Sequence, residues 1–132
     1  MPETHRRLVK AWIEFYHTHK RELAVGEFAP FGEMDRPDQK IEAPGATYVF
    51  ARSSHQTVPL RAPQTTYLVN GADEARSQWS VTGLRAGRYR ATVFDRFLQT
   101  QNVRTLSLSR NGNLNNLPVE KAGLLRLERL AA

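Results

Sequence analysis

The sequence predicts a mainly β protein: an antiparallel β-sandwich of about six to eight short strands preceded by one N-terminal amphipathic α-helix. Three observations lead there. Apolar and aromatic residues recur at helical spacing between Thr4 and Leu23. Beyond Gly45, six short β-favouring runs follow one another, separated by turn-forming residues. Within several runs apolar and polar residues alternate with a period of two, the pattern of half-buried strands. That pattern suits antiparallel sheets better than a parallel sheet, which needs both faces covered.

A chain of 132 residues can build one domain with its own core. Its 40% apolar and 24% charged residues are ordinary globular values and argue against disorder or a fibrous repeat. The expected organisation of the single domain 1–132 is a helix over 4–24, a loop-rich connection over 25–45 and the sandwich over 46–130.

In the helix, Leu8, Val9, Trp12, Ile13, Phe15, Tyr16 and Leu23 form a broad stripe that must pack against something. Thr4 is the expected N-cap and Gly26 the expected left-handed stop. The polar face carries Lys10, Glu14, Thr18, Arg21 and Glu22. Pro30, Gly32, Pro37, Pro44 and Gly45 then interrupt the chain too often for a second long helix.

The predicted strands are Thr47 to Arg52, Thr66 to Asn70, Ser77 to Val81, Arg88 to Phe94, Arg104 to Ser109 and Leu124 to Glu128. Their separators are Pro59 and Pro63, Asn70 to Asp73, Gly83 to Gly87, Asn111 to Asn113, and Pro118 to Gly123. Alternation is clearest where Tyr89, Ala91 and Val93 take one face while Arg88, Arg90 and Thr92 take the other, expected to be wet. Leu106 with Leu108, and Leu125 with Leu127, repeat the pattern.

Several chemistries find no footing. Without cysteine there is no disulfide scaffold, thiolate zinc site or cysteine nucleophile. No apolar run approaches the roughly 18 residues that span a bilayer, and the N-terminus leads into an amphipathic segment rather than a signal-peptide core. No membrane insertion is therefore expected, and the compartment stays open. The net charge of +6 arises downstream of residue 40, from arginines spread singly, which argues against a phosphate-tracking groove for nucleic acid.

His17 and His19 could share a metal on a strand but point apart on a helix, so no metal site is expected there. His5 and His55 are isolated. Gly83 to Tyr89 lacks the Gly-Lys-Ser/Thr ending of a phosphate loop and leads into a strand. A glycosidase needs two carboxylates about 5 to 10 Å apart across the sugar. The acids here fall mainly in the helix and the connection (Glu3, Glu14, Glu22, Glu27, Glu33, Asp35, Asp38, Glu42) or in turns (Asp73, Glu74, Asp95). No catalytic residue and no cofactor is expected.

Sugar-binding modules stack pyranose rings on exposed aromatic side chains, and Trp79, Tyr67, Tyr48 and Phe94 sit on or beside predicted strands. Trp79, between Gln78 and Ser80, is open to three places: the core, a ligand platform or an interface. Trp79 and Tyr67, with Arg88 and Arg90, are the candidate carbohydrate-binding residues.

Segment order adds a resemblance. Residues Trp12 to Leu23, an aromatic pair ahead of a basic stretch and a final Leu, resemble the last barrel helix of melibiase-like glycoside hydrolases of the alpha-galactosidase type. Similar helices precede the C-terminal β domain of alpha-amylase-type enzymes. Tyr48 to Ser53 and Thr66 to Glu74 resemble paired strands of that domain, and Leu117 to Leu127 is similar to its final strand.

What the resemblance implies is a noncatalytic C-terminal accessory domain, excised from a larger enzyme or arising as a truncated or free-standing product. The family's catalytic carboxylates lie on barrel strands ahead of such a helix, so none is carried over to this chain. Implied partners are the catalytic barrel of a glycoside hydrolase or a carbohydrate. The alternatives are an independent carbohydrate-binding module and a protein-interaction sandwich, including a homo-oligomer formed through the helix.

Overall fold

A computed structural model describes residues 2–32, 38–52 and 57–130; Glu33, Asp35, Pro37, Ser53 and His55 lie outside the described residues. The chain opens with α1 (Glu3–Val25). Its first turn begins two residues earlier than an N-cap at Thr4 would place it. Pro2, at φ −59° and ψ 146°, takes the cap position with no side-chain cap, and its carbonyl accepts the Arg6 N–H at 3.1 Å. Proline needs no partner for a missing N–H, so it suits a helix start.

Gly26 ends the helix, but extended (φ −77°, ψ 154°) rather than left-handed. Its glycine has a different cause: a Cβ there would stand 2.3 Å from Ile41 Cγ2. The chain passes straight into a strand packed too closely for any side chain.

Ten strands follow among the described residues: β1 (Glu27–Phe31), β2 (Asp38–Ala43), β3 (Ala46–Ala51), β4 (Val58–Pro59), β5 (Thr65–Asn70), β6 (Trp79–Thr82), β7 (Gly87–Phe94), β8 (Thr100–Leu108), β9 (Gly112–Leu114) and β10 (Leu124–Arg129). They form a seven-stranded sheet, β1-β2-β3-β5-β10-β7-β8, and a three-stranded sheet, β4-β6-β9. The protein is thus mainly β with one leading helix, as the sequence predicts, but the sheets are mixed. β3 pairs parallel to β5, and β4 parallel to β6. The chain leaves the large sheet after β3, contributes β4 to the small one and returns as β5, so β3 and β5 run the same way.

The expected loop-rich connection over 25–45 is replaced by β1, β2 and the turn into β3. Pro30 sits on β1, an edge strand, where a missing N–H costs no ladder bond. Pro44 and Gly45 make the two-residue turn joining β2 to β3, with Gly45 at φ +82°. The breakers are real, but they punctuate a hairpin instead of excluding strands.

Between the sheets lies the core. Val49, Leu68, Ala91, Val93, Leu125 and Leu127 from the large sheet meet Val58, Trp79, Val81 and Leu114 from the small one, with Leu60, Leu84, Leu117 and Val119 closing the gaps. The predicted alternations hold here. Leu125 and Leu127 face inward while Arg126 and Glu128 face out, half-buried, and Leu106 and Leu108 pack on the core from β8.

The other face of the large sheet is wet at Arg88 and Arg90 of β7, both exposed as expected, but not at Thr92. Thr92 is 3% exposed, and α1 lies across the neighbouring part of that side, over Tyr48, Tyr67 and Arg126. The result is three layers: helix, large sheet, small sheet. Replacing Trp79 by Ala in the middle of this core should lower the free energy of unfolding by about 3–5 kcal/mol, measured by urea titration followed by circular dichroism.

Candidate functional site

The candidate site is the junction where α1 crosses the large sheet. Strand register sets Ile41, Tyr48, Tyr67, Arg126 and Thr92 side by side across β2, β3, β5, β10 and β7. Because β3 and β5 are parallel and in register, Tyr48 and Tyr67 lie directly opposite each other. Their rings stack at 4.8 Å with an interplanar angle of 4°.

α1 places Phe15 and His19, four residues apart and so on one helical face, onto these rings. Phe15 meets Tyr67 edge-on at 5.7 Å, and His19 meets it at 4.9 Å. Phe15 and His19 are themselves 4.3 Å apart. At the helix start, Trp12 Nε1 donates to the Arg96 carbonyl at 2.9 Å, and the Arg7 guanidinium covers the Phe97 ring at 4.5 Å.

Three polar groups are threaded through the aromatic cluster. The Tyr48 hydroxyl donates to Glu22 Oε1 at 2.7 Å, which uses its one proton. At the 2.8 Å contact between His19 Nδ1 and that same hydroxyl, the imidazole N–H must therefore be the donor. Burial pushes the Tyr48 phenol well above its usual range, reinforced by its bond to Glu22. Burial likewise raises Tyr67. Tyr48 thus stays a neutral bridge and not a base. Burial pulls His19 below 6.5, while Glu22 works against that shift.

Clefts open on both sides of the helix. On one side an apolar groove of about 170 Å³ runs among Leu23, Phe28, Ile41 and Phe50, and Phe50 also lines a second opening of about 400 Å³ with Trp12, Val69 and Lys121. On the other side Glu14, Thr18, His19 and Arg126 line a more polar cleft of about 220 Å³. Arg126 pairs with Glu128 at 3.1 Å and lies 5.1 Å from the centre of the Phe94 ring. Among the described residues no group of His, Cys, Asp and Glu converges as a set of metal ligands.

The four residues singled out from sequence do not meet. Trp79 is 1% exposed, in the core between the sheets, with the Arg76 guanidinium 4.0 Å over its ring. A ring so placed offers no surface to a sugar, which corrects the platform alternative for Trp79. Tyr67 stands on the opposite side of the large sheet, one face on Tyr48 and its flank under Phe15 and His19. Arg88 and Arg90 are exposed on the same outer side of β7 as Thr92.

The junction brings together residues that the sequence left scattered: Phe15, His19, Glu22, Tyr48 and Arg126. The available signal was the spacing of Phe15, His19 and Glu22 on one helix face. His19 is a partly exposed helix residue, as its helical position implies, and it is turned onto Tyr48 while His17 points outward.

Fold and junction define the class: a mixed β-sandwich whose larger sheet is strapped on its outer face by an N-terminal amphipathic helix. Comparison with protein-family models, with curated proteins and with solved structures finds no match for this chain.

The depressed His19 fixes a sign. Between its folded value and 6.5 the unfolded chain binds more protons than the folded one, so stability rises with pH across that window and is lost as pH falls through it. Urea titrations should show lower stability at pH 5 than at pH 7.5. His19→Gln, which keeps a donor toward Tyr48, should flatten that difference. Tyr48→Phe should cost about 1–3 kcal/mol at pH 7.5 by stranding both partners.

Proposed function

We propose that this chain is a noncatalytic accessory domain of a glycoside hydrolase, stabilising a catalytic barrel and shaping the edge of its active-site face. One observation carries the proposal. α1 commits only part of its apolar stripe to its own sheet and leaves Val9, Ile13 and Tyr16 exposed, the last two at 50% and 56%. A helix with two apolar flanks is suited to a place between two bodies. The resemblance of Trp12 to Leu23 to the last barrel helix of such enzymes agrees with that placement.

The acids support it further, because they are engaged in holding the fold. Asp38 accepts the Arg52 N–H, Asp95 accepts the N–H groups of Phe97 and Gln99, Glu120 binds Arg96 at 2.6 Å, and Glu42 lies 3.3 Å from Lys40. An independent carbohydrate-binding module is the second reading. It draws on a polar cleft of about 370 Å³ lined by Asp95, Gln101, Asn102 and Glu120 beside Phe94, the mix of acids, amides and a ring that sugar hydroxyls use.

Purified chain incubated with chromogenic α-galactosides and α-glucosides should give no turnover. Hydrolysis that persisted through re-purification would overturn the accessory role. Glycan-array binding abolished by Asn102→Ala in a folded variant would instead favour the binding module.

A further inference from the structure

The uncovered flank of α1 is continuous with the apolar groove beside it. At 100° per residue, Val9, Ile13 and Tyr16 lie on the shoulder of the helix next to Trp12 and Leu23. Trp12 and Leu23 in turn line the openings that share Phe50, with Phe28 at the far end. Phe28 is 66% and Phe50 46% exposed. Helix shoulder and sheet edge thus make one concave apolar surface.

The charges on that shoulder have one sign. Arg6 and Lys20 flank Ile13, about 20° to either side of it at that spacing, and both are exposed, while Lys10 lies further round on the polar face, four residues ahead of Glu14. The exposed helix acids, Glu3 and Glu14, fall on the far shoulder at the same angular spacing. Glu27 and Glu42, close in sequence to Phe28 and Ile41, pair with each other across β1 and β2 on the sheet's opposite face. At the other end of the groove Lys121 lines the opening shared by Trp12 and Phe50.

We infer that this surface docks a protein partner whose contact face is apolar and edged with carboxylates on the side that meets Arg6 and Lys20. Charge complementarity selects it. A second copy seated by a two-fold axis would set this basic shoulder against itself, which like charges oppose. A lipid surface meets the cations but is flat, whereas Trp12, Leu23, Phe28 and Phe50 line a groove that takes protruding side chains. The inference deepens the accessory role and does not need it, since it specifies the face of the partner and not its activity.

The test is photocrosslinking of the full chain in the cell it comes from, with Ile13→p-benzoylphenylalanine on the surface and Thr105→p-benzoylphenylalanine on exposed β8 as the control. The expected result is an Ile13 adduct with one protein, through a peptide carrying apolar residues beside Asp or Glu. Arg6→Glu with Lys20→Glu should lower its yield at least about tenfold without changing the circular-dichroism spectrum. Self-adducts, flotation with phosphatidylserine-rich vesicles, or no Ile13 adduct would each overturn the surface. A barrel adduct supports both surface and accessory role. An acid-edged partner without a barrel keeps the surface and removes the accessory role; a barrel caught from Thr105 alone does the reverse.

Discussion

The large sheet is apolar on its inner face and, across β3, β5 and one end of β10 and β7, on its outer face too, and each layer of the protein answers that constraint. Its inner face, through Val49, Leu68, Val93 and Leu125, requires the small sheet. Its outer face carries Tyr48, Tyr67, Val69, Leu124 and Phe94, side chains whose burial is worth about 1.5–3 kcal/mol each for the larger ones. Left to water, that face would be an adhesive surface. α1 is the cover. Tyr48 also brings a hydroxyl that needs partners, and the helix supplies His19 and Glu22 there as well as Phe15.

The stack of Tyr48 on Tyr67 depends on a long-range feature, the parallel pairing of β3 with β5. That pairing exists because β4 crosses to the other sheet between them. No local pattern announces such a crossing: β4 is two residues, Val58–Pro59, and reads as a turn because of its proline. The alternation of β7 and β10 was legible, since each holds one face in the core over several residues. β1 and β2 were not, because Pro30, Pro44 and Gly45 speak for a loop until their edge and turn positions are known. β9 was hidden for a similar reason, with Gly112 taken for the centre of a turn although it is buried against Leu84 and Val81.

The functional junction was legible in parts only. The breadth of the helical stripe was plain, and it implied more than one packing partner. Which residues face the sheet was not, because Trp12 and Tyr16 carry the same periodicity although one is tied to the Arg96 carbonyl and the other is exposed. Trp79 shows the converse. Its alternation with Gln78 and Ser80 favours a core position over a platform, and burial between the two sheets bears that reading out.

A helix that covers one sheet needs one apolar face. α1 has a second shoulder, Val9, Ile13 and Tyr16, and cations interleaved with it. Among the described residues nothing in the sandwich uses that shoulder: the tyrosine stack, the His19 and Glu22 bonds, the Trp12 bond and the Arg7 contact all belong to the inward side. Exposed aliphatic side chains give no stability to an isolated domain and raise its tendency to associate. Their clustering beside the groove at Phe28 and Phe50 is therefore better explained by a contact beyond the sandwich than by folding. The polar bonds at Tyr48 bear on the same point, because they fix the rotation of α1 about its axis and so hold the second shoulder in a constant orientation.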